Sequence, residues 1–408
     1  MTRPADSDLS GIEGAPVGRG LQNGTPDSKS RIEAVLEKEA GKPPLRVAIV
    51  HDWLIGGGAE RVVQELHNMF PDAPIYSSYA TKEWQERLDG KVVTGWLQHF
   101  GPFRKYLALF RGWWFSSLNF KGYDLVISST GNGEAKDINV PKDTIHICYC
   151  HTPTHFYWRQ YNEYLRRPGF GMFDPLARIG LRLLVGPLRK RDLRASKKPN
   201  YFIANSTHIQ SDIKKFYGRD SVVIHPPIDI SRFTVMSNDR RAGFVTVGRQ
   251  APAKRTDVVV EACTELGVAL TVVGNGPQHK QLEKMAGPSI TFAPPATDED
   301  VANYMGLANA FLFASMDDFG ITPIEAQASG TPVIAYKAGG ALDYVIPGKT
   351  GEFFDEQTAE SLAKTLAHFK PEKFDPNVIR AHAEKFAPEV FQRKLTELIN
   401  QALKNPKK

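Results

Sequence analysis

From residue 45 onward, short apolar runs alternate with helix-length segments. LRVAIV (45–50), YDLVISS (123–129), TIHICYC (144–150), NYFIANS (200–206) and SVVIH (221–225) form a first series. AGFVTVG (242–248), VALTVVG (268–274), AFLFAS (310–315) and TPVIAY (331–336) form a second. A run that is apolar at successive positions keeps no face for water. It therefore reads as a strand covered on both sides, as in a parallel sheet with helices on its faces. Each series is long enough for one doubly wound α/β unit. Two prolines and a change of pattern in HPPIDISRF (225–233) mark the seam. The expected division is a leader over 1–44, a Rossmann-like domain over 45–230, a second over 231–375, and a helical end with a lysine tail over 376–408.

Composition narrows this reading. The 408 residues suit two domains, and 41% hydrophobic with 24% charged residues is the balance of a soluble globular chain. Residues 1–44 are rich in Gly, Pro, Ser, Asp and Lys and bury little; a disordered leader with one short helical patch, IEAVLEKEA, is expected. No apolar run suits a signal peptide or a spanning helix. Cys148, Cys150 and Cys263 cannot build a disulfide framework, and Cys-Tyr-Cys is too short for a zinc pair, so a reduced cytosol is expected.

The net charge of +6 is mild, but it is unevenly placed. Residues 164–198 carry ten basic residues against Asp174 and Asp192, and 100–121 mix Phe and Trp with Arg and Lys. Such interleaving suits either a solvated helix face or a surface resting on anionic lipid headgroups. No nucleic-acid recognition motif accompanies it.

Candidate chemistry sits at the ends of the apolar runs, where open α/β sheets bind ligands. After the first run comes His51-Asp52-Trp53-Leu54-Ile55-Gly56-Gly57-Gly58. Glycines before a helix let backbone N–H groups approach an anion. The adjacent glycines do not make the G-x-G-x-x-G of a dinucleotide site. In VGRQAPAKR, Arg249 and Lys254 are close enough in one loop to reach a single diphosphate. The alternative is a solvated basic loop. In SMDDFGITPIEAQASG, Asp317 and Glu325 are separated by seven residues, with Phe319, Gly320 and Ile321 between them. Those two carboxylates can accept hydrogen bonds from two hydroxyl-rich parts of one ligand. Gly339-Gly340 offer a further backbone reachable by an anion, and His151 follows another run. The Asp-x-Asp strings at 6–8 and 298–300 read as leader and as an acidic helix start, not as metal sites.

These blocks, in this order, resemble the retaining glycosyltransferases of family 4. DDFGITPIEAQASGTPVIAYKAGG looks like the Glu-x7-Glu signature, VGRQAPAK like the diphosphate loop, and WLIGGGAERVV like the N-terminal glycine loop. The wording is most similar to bacterial GDP-mannose-dependent mannosyltransferases of O-antigen and exopolysaccharide assembly. The resemblance implies a GT-B fold, two Rossmann-like doubly wound parallel-sheet domains facing across a cleft, with the C-terminal helix returning toward the first. It implies transfer of a hexose with retained configuration, without metal or other cofactor. Arg249 and Lys254 would bind the donor diphosphate, Glu325 the ribose hydroxyls, and Asp317 the transferred sugar. Phe319, Gly320 and Ile321 would line the donor, Gly57 and Gly58 would lie near its phosphates, and His151 would touch the sugar. The family usually has Glu where this chain has Asp317; the shorter arm reaches if the backbone shifts, or Asp318 substitutes. The implied partners are a nucleotide sugar and a polyprenyl-diphosphate-linked saccharide or other glycan acceptor, met at the cytoplasmic membrane face. The competing readings are a UDP-sugar donor, a 2-epimerase, and a non-catalytic donor-binding protein.

Overall fold

The computed structural model describes residues 45–405, except 106–107, 167–170 and 172–173, and not the side chains of 101–110 and 163. The expected leader, the lysines at 407–408 and Arg167 lie outside the described residues. Seven strands form one sheet: β1 (Val47–His51), β2 (Ile75–Ser77), β3 (Val92–Thr94), β4 (Leu125–Thr130), β5 (Ile145–Cys150), β6 (Tyr201–Ala204) and β7 (Val222–Val223). Their order is β3-β2-β1-β4-β5-β6-β7. Six more, β8 (Phe244–Val247), β9 (Leu270–Val273), β10 (Ile290–Phe292), β11 (Ala310–Phe313), β12 (Val333–Tyr336) and β13 (Gly351–Phe354), form a second sheet in the order β10-β9-β8-β11-β12-β13. The described strand pairs are parallel, so each return passes through a helix or long loop.

The helices that concern the site are α1 (Gly58–Met69), α2 (Ala108–Ser117), α3 (Asp174–Ala195), α4 (Thr207–Tyr217), α5 (Thr256–Leu266), α6 (Asp298–Gly306), α7 (Ile321–Ala328) and α8 (Ala341–Tyr344). Local chemistry sets several of their ends. The Ser206 hydroxyl accepts from Ile209 N at the start of α4, and left-handed Gly218 ends it. The acidic string at 298–300 opens α6 through a capping box between Thr297 and Asp300.

Two compact units divide the chain: residues up to 148 with 194–200, and 149–193 with 201–407. In the first, Ala48, Val50 and Val126 pack with Phe115 and Phe120. In the second, alternation along β11 sends Phe311 and Phe313 to one core and Ala310 and Leu312 to another. Burial on both faces explains why these strands were legible as continuous apolar runs. Strands β2, β3, β10 and β13 were not; each is short and carries part-exposed positions. Among the described residues no helix is long and apolar enough to cross a membrane.

Candidate functional site

Strand β8 ends at Val247 and releases the chain into a loop pinned by Gln250. The Gln250 side chain donates to Gly274 O (2.8 Å) and meets His279 Nδ1 (2.7 Å), while its backbone N donates to Asn275 O (2.9 Å). Buried Gln250 thus holds exposed Arg249 at the carboxyl end of the strand. The loop closes in a short turn, Pro252–Lys254, and then passes through Arg255 at φ +51. That left-handed conformation is costly for a side chain with a Cβ. Arg255 is held there by Asp257 (3.2 Å) and by Gln357 Oε1 (3.1 Å).

The turn delivers Lys254 to Asp317, with Nζ 2.5 Å from Oδ2. The hydroxyl of Ser315 lies between Ala253 O (3.1 Å) and the other Asp317 oxygen. The two expected ligand groups, 63 positions apart, therefore meet. Asp318 turns elsewhere. Its carboxylate accepts from Arg159 Nη2, and its carbonyl accepts from the Ser206 hydroxyl at 2.5 Å. Desolvation raises the Asp318 pKa despite the neighbouring Arg159 cation. Because Arg159 occupies Asp318, Asp317 is the carboxylate left to face Lys254.

Beyond the two acids the loop is set by packing. Phe319 is buried and stacks on His225, centroids 5.4 Å apart. Gly320 has φ +90, and a Cβ there would lie 2.7 Å from the Tyr344 hydroxyl. Glycine is thus required to turn the chain into α7, where Ile321 is partly buried and Glu325 buried. Gly339 and Gly340, read from the sequence as backbone open to an anion, have a different task. Gly340 N donates to Asp317 O (2.9 Å), and added Cβ atoms would fall 2.4 Å from Asp317 O and 2.2 Å from Phe319 O. They are glycine so that the 317–319 backbone can lie against them.

Just beyond, Asp343 accepts from Thr207 N (2.8 Å), the Thr207 hydroxyl and His225 Nε2 (2.9 Å). Burial works against its ionisation, but these donors outweigh burial and lower its pKa. Arg159, Thr207, His225 and Asp343 escaped the sequence reading, although Arg159 lies within CYCHTPTHFYWR. No local spacing signals contacts between residues more than a hundred positions apart.

His151 follows β5 and is buried, its ring 5.1 Å from that of Tyr149 and its carbonyl accepting from Asn205 Nδ2 (3.0 Å). His155 lies against Phe156 and Tyr164; burial, aided by Arg159, pulls its pKa down to about 4, so it is neutral at pH 7.

In the other unit, Gly57 and Gly58 are exposed at the start of α1. The Glu60 carboxylate reaches back to accept from Gly56 N (3.1 Å) and Ile55 N (3.4 Å). Asp52 is buried and accepts from the Thr130 hydroxyl (2.9 Å) and from the N–H groups of Gly131, Asn132 and Ala135 (2.7–2.8 Å). Burial raises its pKa, but His51 and those backbone donors prevail and lower it. Nearby, Glu134 pairs with Arg111 (2.8 Å), and burial lifts its pKa to about 7.

A cation, a carboxylate and a helix start thus converge after β8 and β11. Lysine and arginine can draw phosphate oxygens, and the carboxylate can accept from hydroxyls. Comparison with known proteins fits that chemistry. Residues 56–232 match the model of Glycosyltransferase Family 4, and residues 227–387 match that of Glycosyl transferases group 1. The chain carries the two domains of a family 4 type glycosyltransferase. Its fold is GT-B. The structure of Anabaena HepE in complex with UDP superposes with a TM-score of 0.62 at 17% identity, covering 88% of this chain and 100% of that one. Sucrose-phosphate synthase from Thermosynechococcus elongatus gives 0.62 at 16%, covering 88% and 98%.

Among curated relatives, the D-inositol 3-phosphate glycosyltransferase of Mycolicibacterium smegmatis is 30% identical over 167 residues, 36% of this chain and 38% of its own. That of Rhodococcus opacus is 29% identical over 239 residues, 50% and 53%. The chain thus spans between about a third and about half of the length of the curated relatives it matches. These glycosyltransferase relatives are named for inositol phosphate, where the sequence wording had suggested GDP-mannose enzymes.

Proposed function

We propose that this chain transfers a hexose from a nucleotide sugar to a hydroxyl acceptor, with retention at the anomeric carbon. The observation that carries the proposal is the Lys254–Asp317 contact of 2.5 Å at the carboxyl ends of β8 and β11, formed by the loop that also bears exposed Arg249. In this reading Arg249 and Lys254 hold the diphosphate and stabilise the charge that grows on it as the sugar departs. Asp317 accepts from the sugar's hydroxyls, and Glu325 from the ribose. The acceptor attacks on the face that the diphosphate is leaving, and a leaving phosphate oxygen takes its proton. No glycosidase-like pair of carboxylates is required. His151 contacts the sugar. Metal is not required, because side-chain cations take its place.

Two donors remain in play, for different reasons. The wording of the 317–341 block supports GDP-mannose, whereas the HepE structures carry UDP and UDP-glucose, which supports a UDP-sugar. The relatives' names favour an inositol phosphate acceptor; the basic surface favours a lipid-linked diphosphate saccharide. Both acceptors are phosphate-bearing. Helix α3 supports membrane association: Leu176, Ile179 and Leu183 are 69%, 55% and 72% exposed, along one face with Arg182 and Lys190. Sedimentation with anionic vesicles at low salt tests that part, and equal recovery with and without vesicles contradicts it.

Thermal unfolding with saturating GDP-mannose or UDP-glucose tests the donor. A ligand held only by the folded state adds about 2.7 kcal/mol at a hundredfold excess over Kd. A shift with one sugar nucleotide identifies the donor class; no shift with either contradicts the proposal.

A further inference from the structure

Arg159 lies in the loop that follows β5, yet it grips the loop that carries Asp317. Its guanidinium donates through Nη2 to Asp318 Oδ1 and to Thr152 Oγ1 (3.2 Å), and through Nη1 to His208 Nε2. Its Nε lies 3.3 Å from Asp212. His208 and Asp212 are four residues apart and so share a face of α4. His208 accepts the arginine's hydrogen bond on Nε2, which requires that nitrogen to be unprotonated; burial and the Arg159 charge lower its pKa accordingly. The start of the same helix supplies Ser206, whose hydroxyl holds the Asp318 carbonyl. Asp318 is thereby fixed at both its side chain and its main chain.

We propose that Arg159 is a positioning residue for the donor-binding loop, an inference that rests on the function proposed above. By fixing Asp318 it sets the direction of Asp317 one residue earlier, so that Asp317 alone meets Lys254. It also neutralises the second of two consecutive carboxylates beside a site meant for a diphosphate. A planar fork with several donors does this; a lysine, as a single point charge, cannot hold Asp318, Thr152 and His208 together.

The two roles separate in kinetics. Arg159→Ala loses both, so kcat falls by about tenfold to a hundredfold, the scale of a misplaced site, and KM for the donor rises because Asp318 is left uncompensated. Asp318→Asn loses the grip and leaves Arg159 as a surplus cation, so kcat falls while KM for the donor stays at or below wild type. The double variant keeps the low kcat and regains the wild-type KM. Arg159→Lys restores KM more than kcat, and it guards against a misfolded alanine variant. A residue that only stabilised the fold would lower Tm without this split. Hydrogen–deuterium exchange over 315–320 reads the same proposal without activity: Arg159→Ala and Asp318→Asn each speed exchange there. If wild type transfers no sugar, the functional proposal falls while exchange still decides the role of Arg159. Unchanged exchange over 315–320, or a kcat for Arg159→Ala within twofold of wild type, overturns the inference. So do single-variant effects that simply add.

Discussion

The loop after β1 (52–57) and the loop after β11 (314–320) are built from similar parts: an acid, an aromatic ring and glycine ahead of a helix. They satisfy their polar groups in opposite ways. In the first, Asp52 is buried and spends its carboxylate on the 130–135 backbone, and Glu60 covers the N–H groups of Ile55 and Gly56. Backbone donors satisfy the carboxylates, and only Gly57 and Gly58 remain at the surface. In the second, side-chain cations satisfy them: Asp317 meets Lys254 and Asp318 meets Arg159. Backbone hydrogen bonds make a rigid anchor. A lysine on a flexible stem can instead exchange its carboxylate for a phosphate. The first loop is therefore framework, and the second is where a charged ligand can compete.

Breaking the second loop should cost most. Lys254→Ala is expected to reduce turnover by about 10²–10³-fold, the usual loss of one charge-stabilising donor, and steady-state kinetics will show it. Next comes the packing beneath it. Gly340→Ala drives a Cβ to 2.2 Å from Phe319 O, so the loop must shift. Overpacking of this kind costs about 1–3 kcal/mol, measurable by urea unfolding, and should weaken donor binding in parallel.

The first loop should respond in stability and not in chemistry. Asp52→Asn turns an amide NH₂ toward backbone donors, at a cost of about 1–3 kcal/mol. Because the folded-state pKa of Asp52 is lowered, its contribution is present above about pH 4 and is lost as pH falls through the folded value. Asp52→Asn should therefore flatten the acid limb of the stability curve. A neighbouring acid acts in the opposite sense. Glu134 is raised to about 7, so its share of stability is present below about pH 4.3 and is lost as pH rises to about 7. Glu134→Gln should remove the slope in that window, whatever it does to absolute stability through Arg111.

How far the sequence reaches follows the same division. Central strands such as β4 and β5 are buried at every position and were readable as apolar runs. The three-residue strands β3 and β10 lie at edges with half-exposed side chains, and nothing periodic announces them. Strand-end placement brought Arg249, Lys254 and Asp317 into view, because parallel sheets put loops of one kind at one end. The Arg159–Asp318 pair depends on contacts 159 positions apart, for which no motif exists. Gly339 and Gly340 were legible as unusual but not for the right reason. A sequence shows that a side chain is missing, and only the fold shows what occupies its space.

The most direct test of the account is release of nucleoside diphosphate from GDP-mannose and UDP-glucose by the full chain, with inositol phosphate or a polyprenyl-diphosphate saccharide as acceptor. Release should need acceptor, yield a product of retained configuration and largely disappear in Lys254→Ala. Absence of release with either donor, or hydrolysis that is indifferent to both acceptor and Lys254, would contradict the account.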